Sequence, residues 1–98
     1  RAPASAPLAR NRHKGLARLF RDGDVRGVRP DFAPRLLRML DRLDAAVVPD
    51  DMDLPGYRFH RLTGDRRGRF SVRVLGNWRL TFGFDGQDCI DVDLEDYH

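Results

Sequence analysis

Several things are scarce in this 98-residue chain. There is one cysteine, Cys89. That excludes an internal disulfide scaffold and a cysteine-built zinc site, and it fits a reducing compartment. No apolar run approaches the ~18 residues that span a bilayer, and no signal-peptide pattern opens the sequence. A cytoplasmic protein with no membrane partner is expected. Lysine is nearly absent too: Lys14 is the only one among 18 basic residues, and the rest are arginine. No lysine or arginine follows Arg79. There is no glycine-rich phosphate loop, no serine nucleophile elbow and no Cys–His pair. The three histidines, His13, His60 and His98, are far apart, and no two sit at helical i, i+4 spacing around a carboxylate. The acidic run Asp91, Asp93, Glu95, Asp96 has no glycine-turned loop around it. No metal and no cofactor is expected.

What is present is enough to fold. Hydrophobic residues make up 41%, with six Phe, two Tyr and one Trp among 34% charged residues. A chain of this length is one domain and buries about two-thirds of its unfolded surface. Its net charge of +3 conceals an asymmetry: residues 1–79 carry +9 and residues 80–98 carry −6. Arginine suits forked contacts with phosphate, so nucleic acid is the first partner to consider. A coding bias toward arginine would give the same composition, and charge alone does not separate the two.

Residues 1–11 are rich in Ala and Pro and read as a loose lead-in, with a short edge strand at most. A single domain is expected over 12–98. From His13 the period becomes helical, with Leu16, Leu19 and Phe20 at i, i+3, i+4 and Gly23 as a stop. A second helix follows Pro30–Pro34. Its stripe is Phe32, Leu36, Leu40, Leu43 and Val47, widened by Leu37 and Met39, with Arg35, Arg38, Asp41, Arg42 and Asp44 opposite. Pro49 ends it, and residues 50–56 form a loop.

After Gly56 the period becomes two. Residues 57–62, 69–75, 78–84 and 89–94 read as strands joined by short Gly-bearing turns, which makes an antiparallel meander. Phe70, Val72 and Val74 share a face of one strand. So do Trp78, Leu80, Phe82 and Phe84 of the next, and Ile90, Val92 and Leu94 of the last. These faces should pack under the helices, giving an α+β fold with two helices on one side of a small twisted sheet. The other side carries Ser71, Arg73, Arg79, Thr81, Asp91 and Asp93, with Arg58 and His60 alternating in the first strand. Adjacent strands lie ~4.8 Å apart, so Arg73 and Arg79 could meet on one phosphate. A merely solvated face would carry similar residues; two central arginines beside a strand histidine favour a site.

A set of His, Arg, Tyr and Asp without a metal suits RNA cleavage by its own 2′-hydroxyl. A base takes the 2′ proton, a cation steadies the crowded phosphorane, and an acid protonates the leaving 5′ oxygen. DNA would be spared. Histidine titrates near neutrality. His60 lies on the polar face, and His98 follows the last strand directly.

Several stretches resemble HigB-type toxins of the RelE/ParE superfamily. They are His13-Lys14-Gly15-Leu16, Leu43-Asp44-Ala45-Ala46, Met52-Asp53-Leu54-Pro55-Gly56, Gly64-Asp65-Arg66, Asn77-Trp78-Arg79-Leu80-Thr81-Phe82 and Glu95-Asp96-Tyr97-His98. The resemblance implies a RelE-like fold and a ribosome-dependent mRNA endonuclease, held inactive by a helix-turn-helix, HigA-type antitoxin through which it contacts operator DNA indirectly. Carried over residue by residue, it implies a catalytic set of His60, Arg79, Asp96, Tyr97 and His98. Many members carry Lys three residues after the strand histidine, where this chain has Thr63. Arg61, Arg66 or Arg67 could supply that charge, and Arg58 and Arg73 complete the expected RNA-binding set. Two other outcomes share this fold: a toxin aimed at a gyrase-type target, and a degenerate toxin that serves only as antitoxin-binding co-repressor.

Overall fold

A computed structural model describes residues 14–97. The expected lead-in at 1–11, His13 and His98 lie outside the described residues. Helix α1 spans Lys14–Asp22 and helix α2 spans Ala33–Ala45. Strands β1 (His60–Arg61), β2 (Arg69–Leu75), β3 (Trp78–Asp85) and β4 (Asp88–Asp96) form one antiparallel sheet in the order β1-β2-β3-β4. This is the expected pair of helices followed by a meander.

Helix α1 ends where the sequence says it should, whereas α2 stops at Ala45, short of the expected Pro49. Gly23 follows α1 at φ 69 and donates to the Leu19 carbonyl, a left-handed cap that glycine adopts without strain. Pro34 occupies the first turn of α2, where its missing N–H costs nothing. Leu16 and Leu19 of α1 meet Leu36, Met39, Leu40 and Leu43 of α2 over Val72, Val74, Leu80, Phe82 and Val92 of the sheet. Each such side chain contributes roughly 1.5–3 kcal/mol by leaving water. Val47 is the exception in the α2 stripe. The helix stops at Ala45 and Ala46 is extended, so Val47 turns outward and is 49% exposed.

Two strand expectations need correction. The first strand is not six residues but two. Arg58 sits in the left-handed region at φ 51, which breaks the ladder between Tyr57 and His60. The segment still holds to β2, because the Arg73 N–H donates to the Tyr57 carbonyl at 2.6 Å. Arg35, expected on the solvent side of α2, reaches in to donate to the Gly56 and Arg73 carbonyls. That pins the stretch before β1.

The second correction concerns β4. Thr81 pairs with Asp93 but Gly83 pairs with Ile90, so β4 carries one extra residue, with Asp91 at φ 55. A bulge of this kind reverses the alternation beyond it. Cys89 therefore takes the core position expected of Ile90 and is fully buried, while Ile90 turns toward Gly83 on the other face. Arg69 caps the bulge by donating to the Asp91 carbonyl at 2.8 Å.

Candidate active site

The face of the sheet away from the helices is less open than its polarity suggests. Ser71 and Thr81 are 1% and 0% exposed. Long side chains cover them: Arg79 donates through Nε to the Ser71 hydroxyl at 2.8 Å, and Arg69 donates to the Thr81 hydroxyl at 3.0 Å. Strand periodicity gave the face but not this second layer, which forms because arginine stems lie flat over small hydroxyl residues.

At one end of this face is an open groove of about 460 Å³, lined by His60, Arg61, Thr63, Ser71, Asn77, Arg79 and Tyr97 among others. Three elements build it. His60 stands on β1 opposite Ser71 of β2. Arg79 stands on β3 opposite Arg73. Tyr97 follows β4 and is held by its backbone N–H, which donates to the Asn77 carbonyl in the β2–β3 turn at 2.8 Å.

Arg79 is fixed from two sides. Besides the Ser71 bond, its Nη2 donates to the Arg58 carbonyl at 2.6 Å. The left-handed turn at Arg58 thus brings a carbonyl to the guanidinium. Its carbon lies 6.0 Å from the Tyr97 ring centre. Burial lowers the Arg79 pKa from its ordinary value; Tyr97 opposes that, and the Arg73 and Arg58 charges add to it. Among the described residues no carboxylate pairs with this cation, so an anionic ligand would relieve it.

Arg61 lines the groove but pairs with Asp50 at 2.5 Å and lies over Phe59 and Phe70. Arg58 and Arg67 are exposed. Arg73 is half-buried and donates to the Gly76 carbonyl at 3.0 Å. It faces Arg79 in register, as expected, but its Nε is directed to the turn. Arg66 is engaged: it donates to the Tyr97 hydroxyl at 3.0 Å and to Glu95 at 2.5 Å. Asp96 is opposite Trp78, and it lines a separate pocket with Arg29, Phe32 and Trp78 rather than the groove.

Glu95 was not among the expected site residues. It is opposite Arg79 and accepts from both Arg66 and Thr81 at 2.5 Å. Its bond to Arg66 holds its pKa below the ordinary glutamate value against a smaller opposing effect of burial. Two signals pointed to it. It is the only glutamate in the sequence, and alternation from Asp93 puts it on the polar face. Among the described residues, no three His, Cys, Asp or Glu side chains gather as a metal site would require. No helix there is long and apolar enough to cross a membrane.

A family model described as the RelE-like toxin of type II toxin–antitoxin system HigB matches residues 9–98. The chain belongs to this HigB-like toxin family. The endoribonuclease HigB of Proteus vulgaris is 38% identical over 87 residues, which cover 89% of this chain and 95% of that protein. Toxin HigB-1 of Vibrio cholerae serotype O1 is 44% identical over 48 residues, about half of each chain. Membership in a type II system implies an antitoxin partner. The α+β RelE-like architecture expected from the sequence is the one observed.

Proposed function

We propose that this HigB-like toxin is an endoribonuclease that cuts translated mRNA on the ribosome, using the RNA 2′-hydroxyl as nucleophile. The observation that carries this reading is the convergence of His60, Arg79 and Tyr97 on one open groove. It is supported by the likeness to a relative named an endoribonuclease.

In the proposed reaction, His60 takes the proton of the attacking 2′-hydroxyl. The 2′ oxygen bonds to phosphorus and the bond to the 5′ oxygen breaks. A 2′,3′-cyclic phosphate and a free 5′-hydroxyl result. Arg79 steadies the charge that builds on the phosphorane oxygens, with its Nη1 available as a donor. Tyr97 offers a ring on which a splayed base stacks and a hydroxyl that bonds a phosphate oxygen. His98 returns a proton to the leaving oxygen, with Asp96 setting the position of this segment. Arg58, Arg61, Arg67 and Arg73 supply the positive surroundings that draw RNA in.

The partner that silences the toxin is a HigA-type helix-turn-helix antitoxin, which also carries it to operator DNA in the cytoplasm. Thr63, where many family members have lysine, favours one other reading: a degenerate toxin that acts only as a co-repressor. Toeprinting of programmed ribosomes with and without the protein separates the two. New stops within the occupied decoding site are expected. Unchanged toeprints at saturating toxin would leave the co-repressor reading.

A further inference from the structure

The sequence casts Arg66 as a phosphate binder, yet the fold spends its guanidinium elsewhere. Each terminal nitrogen has a partner: Nη1 donates to the Tyr97 hydroxyl at 3.0 Å and Nη2 to a Glu95 carboxylate oxygen at 2.5 Å. We propose that Arg66 and Glu95 are a positioning pair that holds the Tyr97 phenol at the groove, with Arg66 acting through Tyr97 rather than on the substrate. The inference rests on the groove being the RNA-cleaving site.

The anchoring runs back into the sheet. The Glu95 oxygen that receives Arg66 also accepts from the Thr81 hydroxyl at 2.5 Å. Thr81 is fully buried on β3, and its hydroxyl accepts in turn from Arg69 at 3.0 Å. So the contact on the phenol is the end of a line of bonds fixed to β3 and β4. The planar guanidinium fork spans two acceptors at once, which a lysine ammonium does not reproduce.

The chemistry of the phenol follows. A tyrosine hydroxyl has one O–H and oxygen lone pairs. When Arg66 fills an acceptor position, the O–H remains to donate, and an incoming phosphate oxygen is the natural acceptor. The ring is fixed too. The Arg66 and Arg79 guanidinium carbons lie 5.9 and 6.0 Å from its centre, distances at which cation–π attraction operates. Arg66 is a poor phosphate site for the same reasons. Its charge is matched by Glu95, and that carboxylate would repel an arriving anion.

The test is a double-mutant cycle with a binding readout and a structural readout. Arg66→Ala should slow single-turnover cleavage roughly 10- to 100-fold, the scale of a misplaced group. Affinity for ribosomes programmed with a short mRNA should stay within about twofold, with an unchanged salt dependence, because no phosphate contact is lost. In a Tyr97→Phe background, Arg66→Ala should cost less than about twofold more. Glu95→Gln should fall between wild type and Arg66→Ala, and Arg66→Lys should rescue poorly. By NMR, the Tyr97 ring signals should move toward free-chain values in Arg66→Ala while those of Tyr57 stay put. Weaker binding with a salt slope shallower by about one would make Arg66 a phosphate contact and overturn the proposal. So would effects that multiply in the cycle, or Tyr97 signals that do not move. If the wild type cuts no RNA, the proposed function falls, and the ring signals still decide whether the pair holds Tyr97.

Discussion

Arg79→Ala should remove nearly all cleavage while leaving the chain folded, and the structure sets both magnitudes. The side chain makes two close bonds to the protein, to the Ser71 hydroxyl at 2.8 Å and the Arg58 carbonyl at 2.6 Å. Truncation strands the buried Ser71 oxygen and frees Arg58, at a cost of about 1–3 kcal/mol. A domain of this size has ~5–15 kcal/mol to lose. Each kcal/mol lowers Tm by about 4–8 °C at this length, so the variant melts early but is folded at 25 °C. The rate effect is separate. A preorganised donor at developing phosphorane charge is worth ~3–4 kcal/mol, or 10²–10³ in rate. Arg79→Lys keeps a charge but cannot hold Ser71 and a phosphate oxygen together, so it should recover less than about tenfold. The assay is single-turnover cleavage of mRNA on programmed ribosomes, with circular dichroism at the same temperature. An Ala variant that is folded and cleaves within tenfold of wild type would refute the role given to this cation.

Other outcomes follow from the same contacts. Glu95 has a lowered pKa, so its contribution to stability is complete above the ordinary glutamate value of 4.5 and is lost as pH falls below it; Glu95→Gln should shrink the fall in Tm between about pH 5 and pH 3. Burial pushes the Cys89 thiol up to about 12, so a disulfide reagent at pH 8 should modify it only as the protein unfolds, with kinetics that match melting. Arg58 pays for its left-handed backbone at φ 51, a strain of order 1–3 kcal/mol; Arg58→Gly should therefore hold or raise Tm, where glycine elsewhere in the sheet lowers it. Ribosome binding should weaken steeply between 50 and 200 mM salt, by about an order of magnitude or more if several phosphates are contacted, and an affinity flat across that range would count against a phosphate-led interface.

The helices and the meander were legible because their signals are local. Apolar spacing, Pro34 in a first turn and Gly23 at a cap each act within a few residues. What failed was non-local. Nothing in the run from Tyr57 to Leu62 marks Arg58 as left-handed; that conformation is held by Arg79 and by contacts from α2, far away in sequence. The β4 bulge likewise depends on Arg69 reaching across the sheet to the Asp91 carbonyl, and it exchanges Cys89 for Ile90 in the core. At the site, alternation put Arg79 and His60 on the correct face. It could not say that Arg66 would be taken by Glu95, because that bond links a short 3₁₀ turn after β1 to the end of β4. Alternation from Asp93 puts Glu95 on the polar face, but it does not give the bonds from Arg66 and Thr81 that tie it to the groove.

In the proposed reaction the groove of His60, Arg79 and Tyr97 cleaves RNA through the 2′-hydroxyl. The most direct measurement uses two mRNAs on programmed ribosomes that differ only by a single 2′-deoxy substitution 5′ to the scissile phosphate. The all-ribose message should be cut, leaving a 2′,3′-cyclic or 3′-phosphate end and a 5′-hydroxyl, and the deoxy message should remain intact. Equal cleavage of both, or fragments that carry a 5′-phosphate, would contradict the claim.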